Sequence, residues 1–422
     1  MKNALLTIVT LIFGVLLAEI ALKTAAFISP RVAYELAPPW SNRALEVDPK
    51  LGYRVSSFYP GSDRRGYRNP EATDVTDILA IGDSMTFGYT VTEKNSWPSV
   101  IRNKSNIDIY NAGVGGYGPC EYLEVTKELT HLNPTLVVVA LYLGNDMSDA
   151  YTSVYLENRC TELLSENAKV LDEITHLHSE KSLSDEAHEL GLEPVPEFIA
   201  GNLPGRTYES SLRDKSSVYS LVRTVYHLTS NFKHGRFGEG IDEQFVSASE
   251  SSKHGTIHFD DNAERRTVFK TPAVDILAVD QADLRISEGR RITEAALIEI
   301  KSLIAEANNA GLVVAIIPTK AVVYQNILGK AVLDQNPTLS RKMVLENELK
   351  QDLVSFLEEH SIVHVDTTPL LVDAITNKNI PLFHQSSNEH PNEQGYNVIA
   401  SAIAATLKNS TVSISEGIRR EY

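Results

Sequence analysis

Five short runs of apolar, largely β-branched residues recur along the chain, at Ile78 to Ile81, Ile107 to Tyr110, Leu136 to Leu141, Leu312 to Ile317 and Ile362 to Val365. Apolar residues at successive rather than alternate positions mark strands covered on both faces. Helical patterns lie between the runs. Ile292, Ala296, Ile300, Leu303, Ile304 and Ala307 share one helix face, with Gly311 placed to act as a left-handed cap before the next strand. Val344, Leu349, Leu353, Phe356 and Leu357 mark a second helix. Tyr396, Ile399, Ala400, Ile403 and Leu407 mark the last, with Asn392 as its N-cap. Strand and helix in alternation predict an α/β fold, a three-layer α/β/α doubly wound sheet of about five parallel strands, with ligands beyond the carboxyl ends of the strands.

The amino terminus adds a hydrophobic helix. Ala4 to Ala18 carry no charge, and the apolar character continues to Ile28 with Glu19 and Lys23 interrupting. A spanning helix needs about 20 residues, a length reached from Ala4 to Ala25 with Glu19 near one interface and Lys23 snorkelling. The small-x-small triplet near its end, Thr24-Ala25-Ala26, is a poor cleavage site. The expectation is an uncleaved membrane anchor with the rest of the protein on the periplasmic or extracytoplasmic side; secretion after signal cleavage is the alternative. Two cysteines, Cys120 and Cys160, are too few for a disulfide framework and too isolated for a cysteine zinc site, so they pair once or not at all. With 39 Lys and Arg against 55 Asp and Glu, the net charge of −16 argues against a nucleic-acid partner.

The chain divides into an anchor or signal over 1–28, a linker and lead-in over 29–76, a catalytic fold over 77–150 and 289–410, an inserted helical cap over 151–288, and a tail over 411–422. The lead-in is rich in proline and aromatic residues and shows no sustained periodicity. The insertion is polar, with two expected helices, about Thr161 to Glu189 and Leu212 to Ser230. It holds seven histidines (His176, His178, His188, His227, His234, His254 and His258), none in an ordered ligand motif, so they read as solvated surface groups. No metal and no organic cofactor are expected.

Three segments that follow expected strands, and one near the carboxyl terminus, carry residues suited to chemistry. Gly82-Asp83-Ser84 puts a serine at the start of a helix, where its hydroxyl faces the crevice and its own N–H faces a bound oxyanion. Thr86 stands where the α/β-hydrolase elbow has its second glycine. Gly113, Gly115 and Gly118 spell a dinucleotide fingerprint, with Asp146 beyond the next strand. Pro119 counts against that reading, because proline sits comfortably only in a first helical turn and a nucleotide-binding helix would already be under way. A glycine loop offering N–H groups to an oxyanion fits better. Gly144-Asn145-Asp146 offers an uncharged amide donor, or else an Asx turn. His390 lies just before the last helix, where its imidazole can reach the serine as a general base.

Serine, glycine loop, asparagine and histidine in this order resemble the SGNH hydrolases, the GDSL-type esterase and acylhydrolase superfamily. The resemblance covers Asp77 to Tyr151 and about Gly311 to Leu407, and Asp48-Pro49-Lys50-Leu51-Gly52-Tyr53-Arg54 with the anchor is similar to the lead-in of membrane-tethered bacterial members. It implies an SGNH/flavodoxin-like fold, Ser84 as nucleophile, His390 as base, and an oxyanion hole from the N–H groups of Ser84 and Gly116 with the Asn145 amide. The family usually places an aspartate two or three residues before the histidine, where this chain has Asn388 and Ser387. The group that orients His390 is therefore open among the Asn388 oxygen, the Glu389 carboxylate, the Ser387 hydroxyl and a main-chain carbonyl of the Ser386 to Asn388 turn. A Ser84-His390 dyad oriented by an amide or main-chain oxygen is the expectation.

The expected activity is serine esterase or acylhydrolase chemistry on a small-molecule or glycan ester through an acyl-serine intermediate. Carbohydrate O-acetyltransfer by the same residues is the alternative, since water and a sugar hydroxyl compete for one acyl-enzyme. The alternatives from other classes are a catalytically silent binding module, to which the missing aspartate points, and a nucleotide-binding oxidoreductase.

Overall fold

The computed structural model describes residues 2–36, 45–59, 61–105, 107–180, 216–219, 221–222, 256–259, 267–270, 276–385 and 388–418. Nine strands run in chain order: β1 Leu45–Asp48, β2 Gly52–Val55, β3 Ile78–Gly82, β4 Ile109–Asn111, β5 Leu136–Tyr142, β6 Thr256–Phe259, β7 Thr267–Lys270, β8 Gly311–Ile317 and β9 Val363–Asp366. Five of them form a parallel sheet in the order β4-β3-β5-β8-β9. Successive side chains of a strand point to opposite faces, and both faces here are covered. Leu79, Ile81, Val137, Val139, Leu141, Val314 and Ile316 join one core with the helices Pro119–Leu129, Leu284–Asn308 and Pro337–Glu359. Ile78, Ala80, Val138, Ala140, Val313, Ala315 and Ile317 join the other with Trp97–Lys104, Thr368–Thr376 and the start of Glu393–Ile418. This is the expected three-layer α/β/α architecture.

The strand order fixes where a ligand can sit. Chain progression reverses between β3 and β5, so the connections leaving their carboxyl ends diverge and open a crevice. Gly82, the last residue of β3, pairs with Ala140, two residues before the end of β5, so both strands end beside that crevice.

Several local expectations are corrected. The second strand begins at Ile109 rather than Ile107, because the Ile107 N–H goes to Ser105 Oγ and the Asp108 N–H to Asp77 Oδ2 instead of to a ladder. Gly311 is the first residue of β8; the preceding helix is stopped by Asn309 in the left-handed conformation at φ 51°, which asparagine tolerates. The lead-in is not without strands. β1 and β2 form an antiparallel hairpin turned by Asp48, whose Oδ1 accepts from the N–H groups of Lys50 and Leu51. Strands this short carry too few residues to show a period. Within 151–288 lie a second hairpin, β6 with β7, and, in place of the first expected helix, a 3-10 turn at Thr161–Leu163 followed by a helix over Ala168–Glu180. Of the second expected helix only 216–219 and 221–222 are described, largely helical; His188, His227, His234 and His254 lie outside the described residues.

The helix Lys2–Ile28 is apolar and exposed, with a mean hydropathy of 2.1 over Val9–Ile28. Its one acid is not bare: Glu19 pairs with Lys23 and accepts from Ser216 Oγ and from the N–H groups of Ser217 and Val218. Cys120, at the start of the helix Pro119–Leu129, forms a disulfide with Cys160.

Candidate active site

Ser84 opens the short helix Ser84–Phe87 directly after β3. Asp83 caps that helix, its Oδ1 accepting from Met85 N at 2.8 Å. Gly82 is required by packing, since a Cβ there would lie 2.2 Å from Thr86 Oγ1 and 3.0 Å from the Ala140 carbonyl oxygen. The far end of the turn is gripped by Arg68, whose buried guanidinium donates to the carbonyls of Phe87, Gly88 and Val91 and lies 4.6 Å from the Phe87 ring centroid.

The glycine loop runs beside the serine. A Cβ on Gly115 would lie 3.6 Å from Ser84 Cβ. The loop is pinned at its entry, where Asn69 closes the end of β4 by donating to the Asn111 carbonyl and accepting its N–H. Asn111 in turn accepts from Gly113 N and donates to the Thr86 carbonyl. The following helix starts at Pro119, so Gly118 stands outside it. Asp146 is buried, bonded to Tyr122 OH and Tyr142 N. Asp146 is therefore not the exposed acid that a dinucleotide ribose needs, and the Gly118 N–H is already taken by Glu121 Oε2.

Asn145 follows β5 and precedes the helix Asp146–Tyr151. Its main-chain oxygen accepts from Asp149 N and Ser148 Oγ, while its side chain makes no cap hydrogen bond. The Asx-turn reading therefore does not hold, and the amide is not consumed by its own helix.

His390 approaches from a loop between the helix Thr368–Thr376 and the last helix. A bridge between Phe383 and Pro391 closes this loop, and Asn392 N–H bonds to the Leu382 carbonyl. Asn392 also caps the last helix, its Oδ1 accepting from the N–H groups of Gln394 and Gly395. His390 Nε2 stands 2.7 Å from Ser84 Oγ, and its Nδ1 stands 2.8 Å from Asn388 Oδ1. The same Asn388 Oδ1 accepts the main-chain N–H of His390 at 2.8 Å. A main-chain N–H can only donate, so the shared atom is the amide oxygen and Nδ1 carries the hydrogen bonded to it. That tautomer leaves the Nε2 lone pair facing the serine hydroxyl, the arrangement a general base requires. Glu389, also weighed for this role, has Oε2 buried without a hydrogen-bond partner among the described residues. Ser387 and Ser386 lie outside the described residues.

Two groups frame the imidazole. The Tyr89 ring lies with its centroid 5.0 Å from that of His390, and Thr90 Oγ1 donates to the Pro391 carbonyl. Beneath the loop, fully buried Lys320 directs Nζ at the carbonyls of Asn388 and His384, at 3.3 and 3.5 Å. A donor so placed holds the Asn388 main chain, and with it the amide that faces His390.

The electrostatics beneath the serine are unusual. Burial pushes the Asp83 carboxyl up to about 7. Asp146 and Asp149 are likewise held well above the usual carboxylate range, by burial first and then by neighbouring acids including Asp83. Asp83 Oδ2 also lies 3.2 Å from Ser84 Oγ.

Sequence reasoning missed Arg68, Asn69 and Lys320, which act on main-chain groups and leave no spacing signature. Among the described residues the cluster with metal-type donors is Glu124, Cys160 and Glu162, whose sulfur is already in the disulfide.

No protein-family model matches the chain, and no curated protein matches it. Solved structures similar to it include a lipolytic protein of the G-D-S-L family from Desulfitobacterium hafniense, at 15% identity and TM-score 0.31, covering 78% of this chain and 99% of that one. A second is a member of the same family from Veillonella parvula, at 11% identity and TM-score 0.33, covering 78% and 96%. A third is a GDSL-like lipase from Bacteroides thetaiotaomicron, at 10% identity and TM-score 0.31, covering 79% and 88%.

Proposed function

We propose that this chain is a serine ester hydrolase of SGNH type that works through an acyl-Ser84 intermediate. The observation that carries this reading is the hydroxyl-to-imidazole contact of Ser84 and His390, with the ring tautomer set by Asn388. As Ser84 Oγ attacks the ester carbonyl, its proton passes to His390 Nε2. The oxyanion so formed is taken by the N–H groups of Ser84 and Gly116 and by the Asn145 amide. Collapse of the tetrahedral adduct breaks the bond to the alcohol oxygen, which receives the proton from Nε2. Water then repeats the sequence on the acyl ester, losing a proton to Nε2 and releasing the acid and free Ser84.

The N-terminal apolar helix supports a membrane-tethered enzyme, and the disulfide favours the extracytoplasmic side, because such bonds persist in oxidising compartments. The substrate is then an ester met outside the cytoplasm, an O-acyl group on a glycan among them.

Labelling of the detergent-solubilised full chain with a fluorophosphonate tests the chemistry, with modification expected at Ser84. Absence of labelling at Ser84 in folded protein overturns the reading and favours a silent binding module. A chain-length series of acyl esters, with and without sugar acceptors, then separates hydrolysis from transfer by product. For the anchor, retention in membranes after carbonate washing is expected; a mature terminus near Phe27 would instead show signal cleavage.

A further inference from the structure

We infer that Tyr53, on strand β2 of the lead-in hairpin, is a positioning residue that aims the Gly116 amide at the reacting oxygen; this rests on the serine-hydrolase reading above. Tyr53 OH donates to the Gly115 carbonyl oxygen at 2.6 Å. The Gly115 carbonyl and the Gly116 N–H belong to one peptide unit, and the described chain contains no cis peptide bond. In a trans unit the C=O and N–H point in opposite directions. Holding the carbonyl on the hairpin side therefore turns the Gly116 N–H to the opposite side. Gly115 itself borders the serine, with only 3.6 Å between its Cβ position and Ser84 Cβ.

The hairpin is built to hold this contact. Tyr117 OH donates back to the Tyr53 carbonyl at 2.5 Å, and the two rings pack at a centroid distance of 5.5 Å. Arg54 pairs with Asp48 inside the hairpin and with Glu128 on the helix that follows the glycine loop. Gly116 sits at φ 79°, and a Cβ there would fall 2.4 Å from Tyr53 OH. The hydroxyl and the glycine thus fit each other, and any side chain at 116 would both strain the backbone and expel the hydroxyl. A carbonyl already accepting a hydrogen bond also polarises its peptide unit and strengthens the N–H as a donor.

The test compares wild type, Tyr53→Phe and a chain with 4-aminophenylalanine at position 53, which retains a donor at the ring tip. Tyr53→Phe is expected to lower kcat by about 10-fold or more with KM little changed, a partial loss of one oxyanion donor. The affinity of a boronic acid, whose adduct on Ser84 carries the tetrahedral oxygen, should fall by the same factor. The 4-aminophenylalanine chain should recover most of both losses, even if Tyr53→Phe folds poorly. A Tyr53→Phe enzyme with wild-type kcat overturns the inference, as does a donor-bearing chain no better than the phenylalanine variant. Fluorophosphonate labelling of wild-type Ser84 separates the two levels. Labelling with no effect of Tyr53 removes only this inference, and no labelling removes the hydrolase reading and this inference together.

Discussion

His390 Nε2 and Ser84 Oγ lie 2.7 Å apart although 306 positions separate them in the chain. The contact joins the first strand of the parallel sheet to the loop before the last helix, and each partner is held by its own support. Ser84 sits on a turn capped by Asp83 and gripped by Arg68; His390 sits on a loop closed by Phe383 with Pro391 and underpinned by Lys320.

Ser84→Ala should abolish ester hydrolysis while leaving the thermal unfolding transition in place, because the serine is partly exposed and contributes little core area. Asn145→Ala should lower kcat by about 10²- to 10³-fold, the usual cost of one oxyanion donor. Steady-state kinetics on both variants check this. Turnover by Ser84→Ala above about a hundredth of wild type would remove it as nucleophile, and an unchanged kcat would remove Asn145 from the hole.

Asn388→Ala removes the oxygen that fixes the imidazole tautomer, so kcat should fall by about 10-fold or more. Asn388→Asp should preserve or raise kcat, and its carboxylate should stabilise the imidazolium, moving the acid limb of the kcat/KM profile to higher pH. Glu389→Gln should change little. A loss of about a thousandfold or more in Glu389→Gln, approaching the cost of removing a triad acid, would make Glu389 the orienting group instead.

Replacing both disulfide partners, Cys120→Ser with Cys160→Ser, should cost about 4 kcal/mol, the loop-closure value for a bridge spanning 40 positions. Denaturant unfolding gives the number, and wild type treated with reductant should move the same way. Identical midpoints with and without the bridge would show that the pair contributes no stability.

Asp83 gives stability a definite pH dependence. Its folded value of about 7 lies above the ordinary 3.8, so between those limits the folded chain binds more protons than the unfolded one. The contribution is complete below the ordinary value and is lost as pH rises through about 7. Asp146 and Asp149 shift in the same direction. Melting temperature should therefore be higher near pH 5 than near pH 8, and Asp83→Asn should flatten part of that slope. A melting temperature that climbs from pH 5 to pH 8 would contradict the assignment.

The sequence by itself determined the layered α/β fold, because runs such as Leu136 to Leu141 and the face through Ile292, Ala296 and Ile300 are local periodicities that any packing must satisfy. It also placed Ser84, Gly116 and Asn145 after strands, since in a parallel sheet every such position falls on the same rim. Only the tertiary structure decided the rest. That Cys120 meets Cys160, and that Tyr53, Arg68, Asn69 and Lys320 brace the site, depend on which distant segments become neighbours, whereas the choice of the Asn388 oxygen for Nδ1 is a local matter of loop conformation two residues from His390. These braces bond to main-chain carbonyls and amides, which every residue carries, so no residue pattern at the receiving end announces them. Periodicity records what a segment must bury, whereas the partner of a polar side chain is set by strand order and loop closure.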